Sequence, residues 1–220
     1  MFLQVPDLLK PEEITRLREI ASQAKFLDGR MSNPGNTTKD NLQVDLNHPG
    51  YRESSQIMSN ALQRTREVAD FALPKILAPP LLCRYDPQMK YGAHADTAFI
   101  TTPSGRMRTD VSLTIFIADP ASYQGGELRI HLGSEVVNIK YPAGHCILYP
   151  SHTLHEVVPV TSGQRLVGIA FIESLVPSQE HREMIYELNE VGALEGYNMK
   201  MENRVRLDTV KSNLIRMWST

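Results

Sequence analysis

At 220 residues, 41% of them hydrophobic, the chain is long enough to bury one sizeable core and short enough to form one domain with an appendage. Its 23 Lys and Arg against 25 Asp and Glu leave a net charge of -2, with no basic strip, which argues against a nucleic-acid partner. The opening MFLQVPDLLKPEE has no basic flank, long apolar core or small-residue cleavage site, and no stretch approaches about eighteen apolar residues, so we expect a cytoplasmic protein with no membrane partner.

The first part of the chain, residues 1–78, reads as a helical region that packs on the core. Pro11 suits a first helical turn, Glu12 and Glu13 follow it, and Ile14, Leu17, Ala21 and Ala24 recur at helical spacing, which predicts a helix from about 11 to 25. Gly29, Pro34, Gly35, Asn36, Asn47, Pro49 and Gly50 mark 28–50 as loop. A second helix is expected over about 51–72, closed by Pro74, Pro79 and Pro80.

Residues 79–176 change to short β-rich runs: LLCRY, DVSLTIFIAD, GGELRIHL, EVVNIKY, HCILYP, HEVVPV and RLVGIAFI. Val111, Leu113, Ile115 and Ile117 alternate on one strand face, with Ser112, Thr114 and Phe116 on the other. Such spacing predicts a jelly-roll sandwich or barrel, a mostly β fold with flanking helices. Cys83 and Cys146 sit inside these apolar runs and are expected as buried free thiols. Residues 177–220 form a C-terminal extension of two amphipathic helices, whose Met and Trp positions read as packing. A homo-oligomer is compatible with these helices.

His94 and Asp96, two apart on a strand or at its end, point to the same side and can share one metal. Alone, this HxD pair is a motif that chance supplies readily. His155, at the start of a later strand, adds a second imidazole that a β-barrel can bring back over the first pair. Two imidazoles and one carboxylate leave three positions of an octahedral Fe(II) open, enough for a 2-oxo acid and dioxygen. Arg165 follows ten residues after His155. The run from Val157 to Val160, the turn residues Ser162 and Gly163, and RLVGIAFI predict a hairpin that returns it to the same cavity. Its planar fork suits the far carboxylate of a dicarboxylic oxo acid. A rival zinc set can be drawn from His145, His152 and His155, but residues three apart on a strand face opposite ways. Glu156 as the base of a zinc hydrolase meets the same objection.

The residues now carry a family resemblance. Arg84-Tyr85, the Tyr91-Gly92-x-His94-x-Asp96 run, RTDVSLTIFIADP, YQGGEL over 123–128, Ala143-Gly144, LYP over 148–150, LHEV over 154–157, PVT over 159–161 and GQR over 163–165 look like the bacterial PKHD-type hydroxylases, relatives of the prolyl 4-hydroxylase catalytic domain. The likeness is strong from about 80 to 175 and fainter in the tail VKSNLIRMWS. His152, and Glu156 where a basic residue is more usual, depart from the pattern.

The resemblance implies a double-stranded β-helix, cupin-like, with N- and C-terminal helices outside it. It implies Fe(II) held by His94, Asp96 and His155, 2-oxoglutarate held by Arg165 and touched by Tyr85, and L-ascorbate as reductant. The expected function is a 2-oxoglutarate-dependent dioxygenase, hydroxylating a peptide, amino acid or small molecule with O2 and releasing succinate and CO2. The alternative is a cupin-like protein that senses a metal or 2-oxo acid without turnover, because a fold does not establish an activity.

Overall fold

The computed structural model describes residues 1–32, 35–102 and 105–220. Pro34 of the expected loop, and Pro103 and Ser104 between Thr97 and Arg108, lie outside the described residues.

The N-terminal region alternates short strands with helices: β1 (Leu3–Val5), α1 (Pro11–Gln23), β2 (Phe26–Asp28), β3 (Lys39–Asp40), β4 (Leu42–Val44), α2 (Pro49–Arg64) and α3 (Arg66–Ala72). In α1, Pro11 occupies the first turn, the Glu13 carboxylate accepts the Lys10 N–H at 2.8 Å, and Leu17, Ile20 and Ala21 are buried. The helix expected over 51–72 is two helices, because Thr65 takes an extended conformation (φ -93°, ψ 114°) between α2 and α3. The stretch expected as loop between 28 and 50 holds β3 and β4. Tertiary pairing overrides its turn-rich composition there.

The β core follows as β5 (Pro74–Leu77), β6 (Leu81–Tyr85), β7 (Lys90–His94), β8 (Phe99–Thr102), β9 (Gly105–Arg108), β10 (Val111–Phe116), β11 (Tyr123–Gly125), β12 (Leu128–Leu132), β13 (Glu135–Ile139), β14 (Cys146–Pro150), β15 (His155–Val157), β16 (Val160–Gly163) and β17 (Arg165–Ser174). A major antiparallel sheet runs β1-β14-β10-β17-β6-β4-β2, with β5 also on β17. A minor sheet runs β13-β12-β15-β7-β3, and β11-β16 and β8-β9 form separate ribbons. Consecutive strands thus cross between the sheets, the pattern of a jelly-roll double-stranded β-helix.

Burial explains the layering. Val111, Leu113, Ile115, Cys146, Leu148, Leu166 and Ala170 pack with Leu17, Met58, Leu62 and Phe71 of the helices, on the outer face of the major sheet. The inner face gives Cys83, Tyr85, Phe116, Ile147, Tyr149 and Val167 to a second core shared with Leu128, Ile130 and Val157 of the minor sheet. Central strands buried on both faces read as continuous apolar runs, as LLCRY and HCILY do. Cys83 and Cys146 are both free and buried.

The predicted hairpin around Gly163 is absent. Strand β16 pairs with β11, and β17 pairs with β6 and β10 of the major sheet. Arg165 therefore enters the cavity from the sheet opposite His155, directly across from Tyr85 in the β6–β17 register.

The C-terminal helices are α4 (Gln179–Glu195) and α5 (Met201–Trp218). Helix α4 buries Arg182 and Ile185, whereas α5 buries no residue, with Val205 and Met217 more than half exposed. Its partner is α4 rather than the sheet. Trp218 still packs, stacking on His181 with ring centroids 4.0 Å apart. No helix among the described residues is long and apolar enough to cross a membrane.

Candidate active site

Strands β7 and β15 are neighbours, and their register sets His94 opposite His155. Asp96 lies two residues past His94, where its backbone N–H donates to Ser151 O at 3.0 Å and turns the chain back over the pair. Asp96 Oδ1 is 3.8 Å from His94 Nε2, and Oδ2 is 3.9 Å from His155 Nε2. Among the described residues, these three form the one group of potential metal donors, with all ligand atoms within 4.8 Å.

Both rings are oriented from behind. His94 Nδ1 lies 2.7 Å from Gly92 O and His155 Nδ1 lies 2.9 Å from Thr153 O. A carbonyl only accepts, so each Nδ1 carries a proton, and Nε2, on the Asp96 side, is the nitrogen left to meet a metal. Burial, and then the neighbouring His155, hold His94 below its ordinary pKa and favour the neutral form that ligates metals. Tyr91 stacks on His94 at 3.7 Å between centroids.

Ser112 from the opposite sheet and Ser151, just past the end of β14, complete the carboxylate's surroundings. Ser112 Oγ lies 2.6 Å from Asp96 Oδ2 and 2.7 Å from Ser151 Oγ. One hydroxyl holds one proton, so Ser112 donates to Asp96 and accepts from Ser151. Neither serine was singled out from sequence, although the alternation in DVSLTIF had already put Ser112 and Thr114 on the face opposite the apolar one.

At the far end of the cavity sits Arg165, only 1% exposed. Its guanidinium lies 4.9 Å from the Tyr85 ring centroid and hydrogen-bonds the Tyr123 phenol, while Nε has no partner. Among the described residues no carboxylate pairs with it. A buried cation without a counter-ion is costly unless an anion arrives, so the chain fits a ligand carboxylate at this end. Burial raises the Tyr85 and Tyr149 hydroxyls well above the ordinary phenol range, which keeps both neutral beside it.

The rival arrangements do not assemble. His152 is exposed, and among the described residues His145 joins no metal-binding group. Glu156 faces away from His155 and bonds Arg129 across β12 at 3.0 Å, beside His131 at 3.5 Å. The segment Asp86–Lys90 is a short turn tied to β16, with Gln88 N–H donating to Val160 O at 2.8 Å. Within 97–108, Phe99–Thr102 and Gly105–Arg108 form the β8–β9 ribbon.

The donor set fits iron. Two imidazoles and one carboxylate, with open positions, are the set that suits non-haem Fe(II). A PKHD-type hydroxylase from Sphingopyxis alaskensis is 47% identical to this chain over 211 residues, 96% of each protein. The chain belongs to the PKHD-type hydroxylases. Another member, YbiX of Escherichia coli, is 37% identical over 223 residues, covering all of this chain and 99% of its own.

Within this PKHD-type chain, residues 80–173 match the 2OG-Fe(II) oxygenase superfamily. It is therefore a 2-oxoglutarate-dependent dioxygenase, an oxidoreductase that uses Fe(II), 2-oxoglutarate and O2 on an organic substrate. The fold is similar to that of a Trichoplax adhaerens prolyl hydroxylase solved with a peptide fragment of hypoxia inducible factor. The TM-score is 0.61 at 14% identity, covering 78% of this chain and 83% of the other.

Proposed function

We propose that His94, Asp96 and His155 are the iron ligands of this dioxygenase, that Arg165 holds the far carboxylate of 2-oxoglutarate, and that Tyr85 flanks it. The observation that carries this reading is the pair of complementary ends in one cavity: three convergent donors at one and, at the other, a buried guanidinium with no carboxylate partner among the described residues. Once bound, iron and 2-oxoglutarate supply the oxidising chemistry, with succinate and CO2 as coproducts.

The chain's own residues do the positioning. The Gly92 and Thr153 carbonyls fix both imidazole tautomers, and Ser112 fixes the carboxylate. Arg165 orients the cosubstrate through its fork, and Tyr85, Leu128, Tyr149 and Val157 exclude water around it. We assign hydroxylation as the outcome and L-ascorbate as the reductant that keeps iron ferrous, both on family resemblance. A cytoplasmic location accords with the two buried free thiols.

The test is to load protein purified without oxygen with Fe(II) and 2-oxoglutarate, then admit oxygen. An oxygenase gives a visible charge-transfer band before oxygen and succinate after it. A sensor gives the band and no succinate, and stoichiometric zinc with hydrolytic activity would overturn the iron assignment.

A further inference from the structure

The cavity holds a second buried cation that iron and cosubstrate leave unused. Lys39, on β3 at the edge of the minor sheet, is 5% exposed and lines the cavity with His94, Asp96 and Arg165. Its ammonium donates to the Ser32 hydroxyl at 2.6 Å and sits 5.2 Å from the Tyr91 ring centroid. Among the described residues no carboxylate lies within ion-pair distance of it. An ammonium has three donors, and one neutral hydroxyl and one ring face leave it short of a counter-charge.

Charge balance says what is missing. Asp96 is the one acid among the described residues that line the cavity, against the two cations Lys39 and Arg165. A divalent metal on Asp96 adds two positive charges, and the 2-oxoglutarate dianion removes two, one carboxylate at Arg165 and the other at the metal. One positive charge remains, on Lys39. The cosubstrate has no third carboxylate to meet it.

Resting on the iron and 2-oxoglutarate reading above, we propose that Lys39 binds a carboxylate of the primary substrate, so that this enzyme oxidises an acid. The position supports a role in substrate choice. Lys39 lies outside residues 80–173, the part matched to the oxygenase superfamily at large, but inside the region shared with full-length PKHD-type relatives. Burial lowers the lysine's pKa, the direction expected of a charge that awaits its partner. The reach also limits the substrate. With the ammonium 5.2 Å from Tyr91 and Tyr91 3.7 Å from His94, the charge lies within about 9 Å of the His94 ring. The carbon to be oxidised is thus a few bonds from the carboxylate.

The test uses the full-length protein with Fe(II) and 2-oxoglutarate under anaerobic conditions, titrated with matched acids and amides: N-acetyl-L-alanine against N-acetyl-L-alaninamide, and benzoate against benzamide. The charge-transfer band reports binding near the metal. We expect at least one acid to perturb it at tenfold lower concentration than its amide. Lys39→Met should abolish that preference without moving the 2-oxoglutarate midpoint of the band, and Lys39→Arg should restore part of it. Equal response to acids and amides in the wild type would overturn the proposal, as would a preference that survives in a folded Lys39→Met. A weakened 2-oxoglutarate midpoint in Lys39→Met would assign the lysine to the cosubstrate instead and overturn it too. No band in the wild type would sink the iron and 2-oxoglutarate reading, and this one with it.

Discussion

Ser112 reaches across from the major sheet to hold Asp96, its hydroxyl 2.6 Å from Oδ2 and itself held by Ser151 at 2.7 Å. Asp96 belongs to the chain leaving the minor sheet, so this bond ties the two sheets together at the proposed iron ligand. Removing an outer partner of a metal ligand typically weakens metal affinity by about 10–100-fold. Ser112→Ala should do so in a titration with Co(II) or Mn(II), with the circular dichroism of the fold kept. Unchanged metal affinity would mean that the serine only fills space.

Arg165 faces Tyr85 across β6 and β17 and has no acid partner among the described residues. Arg165→Lys keeps a charge but loses the fork, so the 2-oxoglutarate KM should rise by roughly tenfold or more, in keeping with about 1.5–3 kcal/mol for a charged hydrogen bond. Tyr85→Phe should have a smaller effect. The succinate-release assay at varied 2-oxoglutarate separates the two, and equal KM values for wild type and Arg165→Lys would remove Arg165 from the cosubstrate site.

The triad and Arg165 were legible because their chemistry is written in residue type: His, Asp and Arg are conspicuous in a β-rich run. What remained hidden depends on the pairing of distant strands. Ser112 sits in a run whose polar members also suit a solvated face, and only the placement of β10 between β14 and β17 brings it over Asp96. Lys39 lies in a stretch whose Gly, Pro and Asn content argued for loop, and its burial follows from β3 pairing with β7. The path of Arg165 was misread for a similar reason. Local turn residues predicted a hairpin, but Gly163 instead closes β16 onto β11.

That glycine is itself testable. Gly163 has φ +72°, and a Cβ there would lie 2.2 Å from the Ser122 backbone oxygen. Both strain and collision oppose a side chain, so Gly163→Ala should cost on the order of 1–3 kcal/mol. Because Arg165 is two residues on, the 2-oxoglutarate KM should rise with the fall in Tm. A variant as stable as wild type would contradict the close approach of β16 to β11.

Burial raises the Cys83 thiol to about 11. A folded pKa above the unfolded value means that the unfolded chain loses its proton first, so this contribution to stability is intact below about pH 9 and declines as pH rises toward 11. Tm should therefore fall across that window, and neither Cys83 nor Cys146 should react with a thiol reagent at neutral pH until the protein is denatured. Rapid labelling of the native protein would contradict the burial of β6 and β14.

The central claim rests on His155, the proposed ligand brought from a distant strand to face His94. The most direct test is succinate formation by His155→Ala under Fe(II), 2-oxoglutarate and oxygen, beside the wild type. The account predicts succinate from the wild type and none above the protein-free background from the variant, with the anaerobic charge-transfer band lost as well. Full turnover by His155→Ala would contradict the metal site.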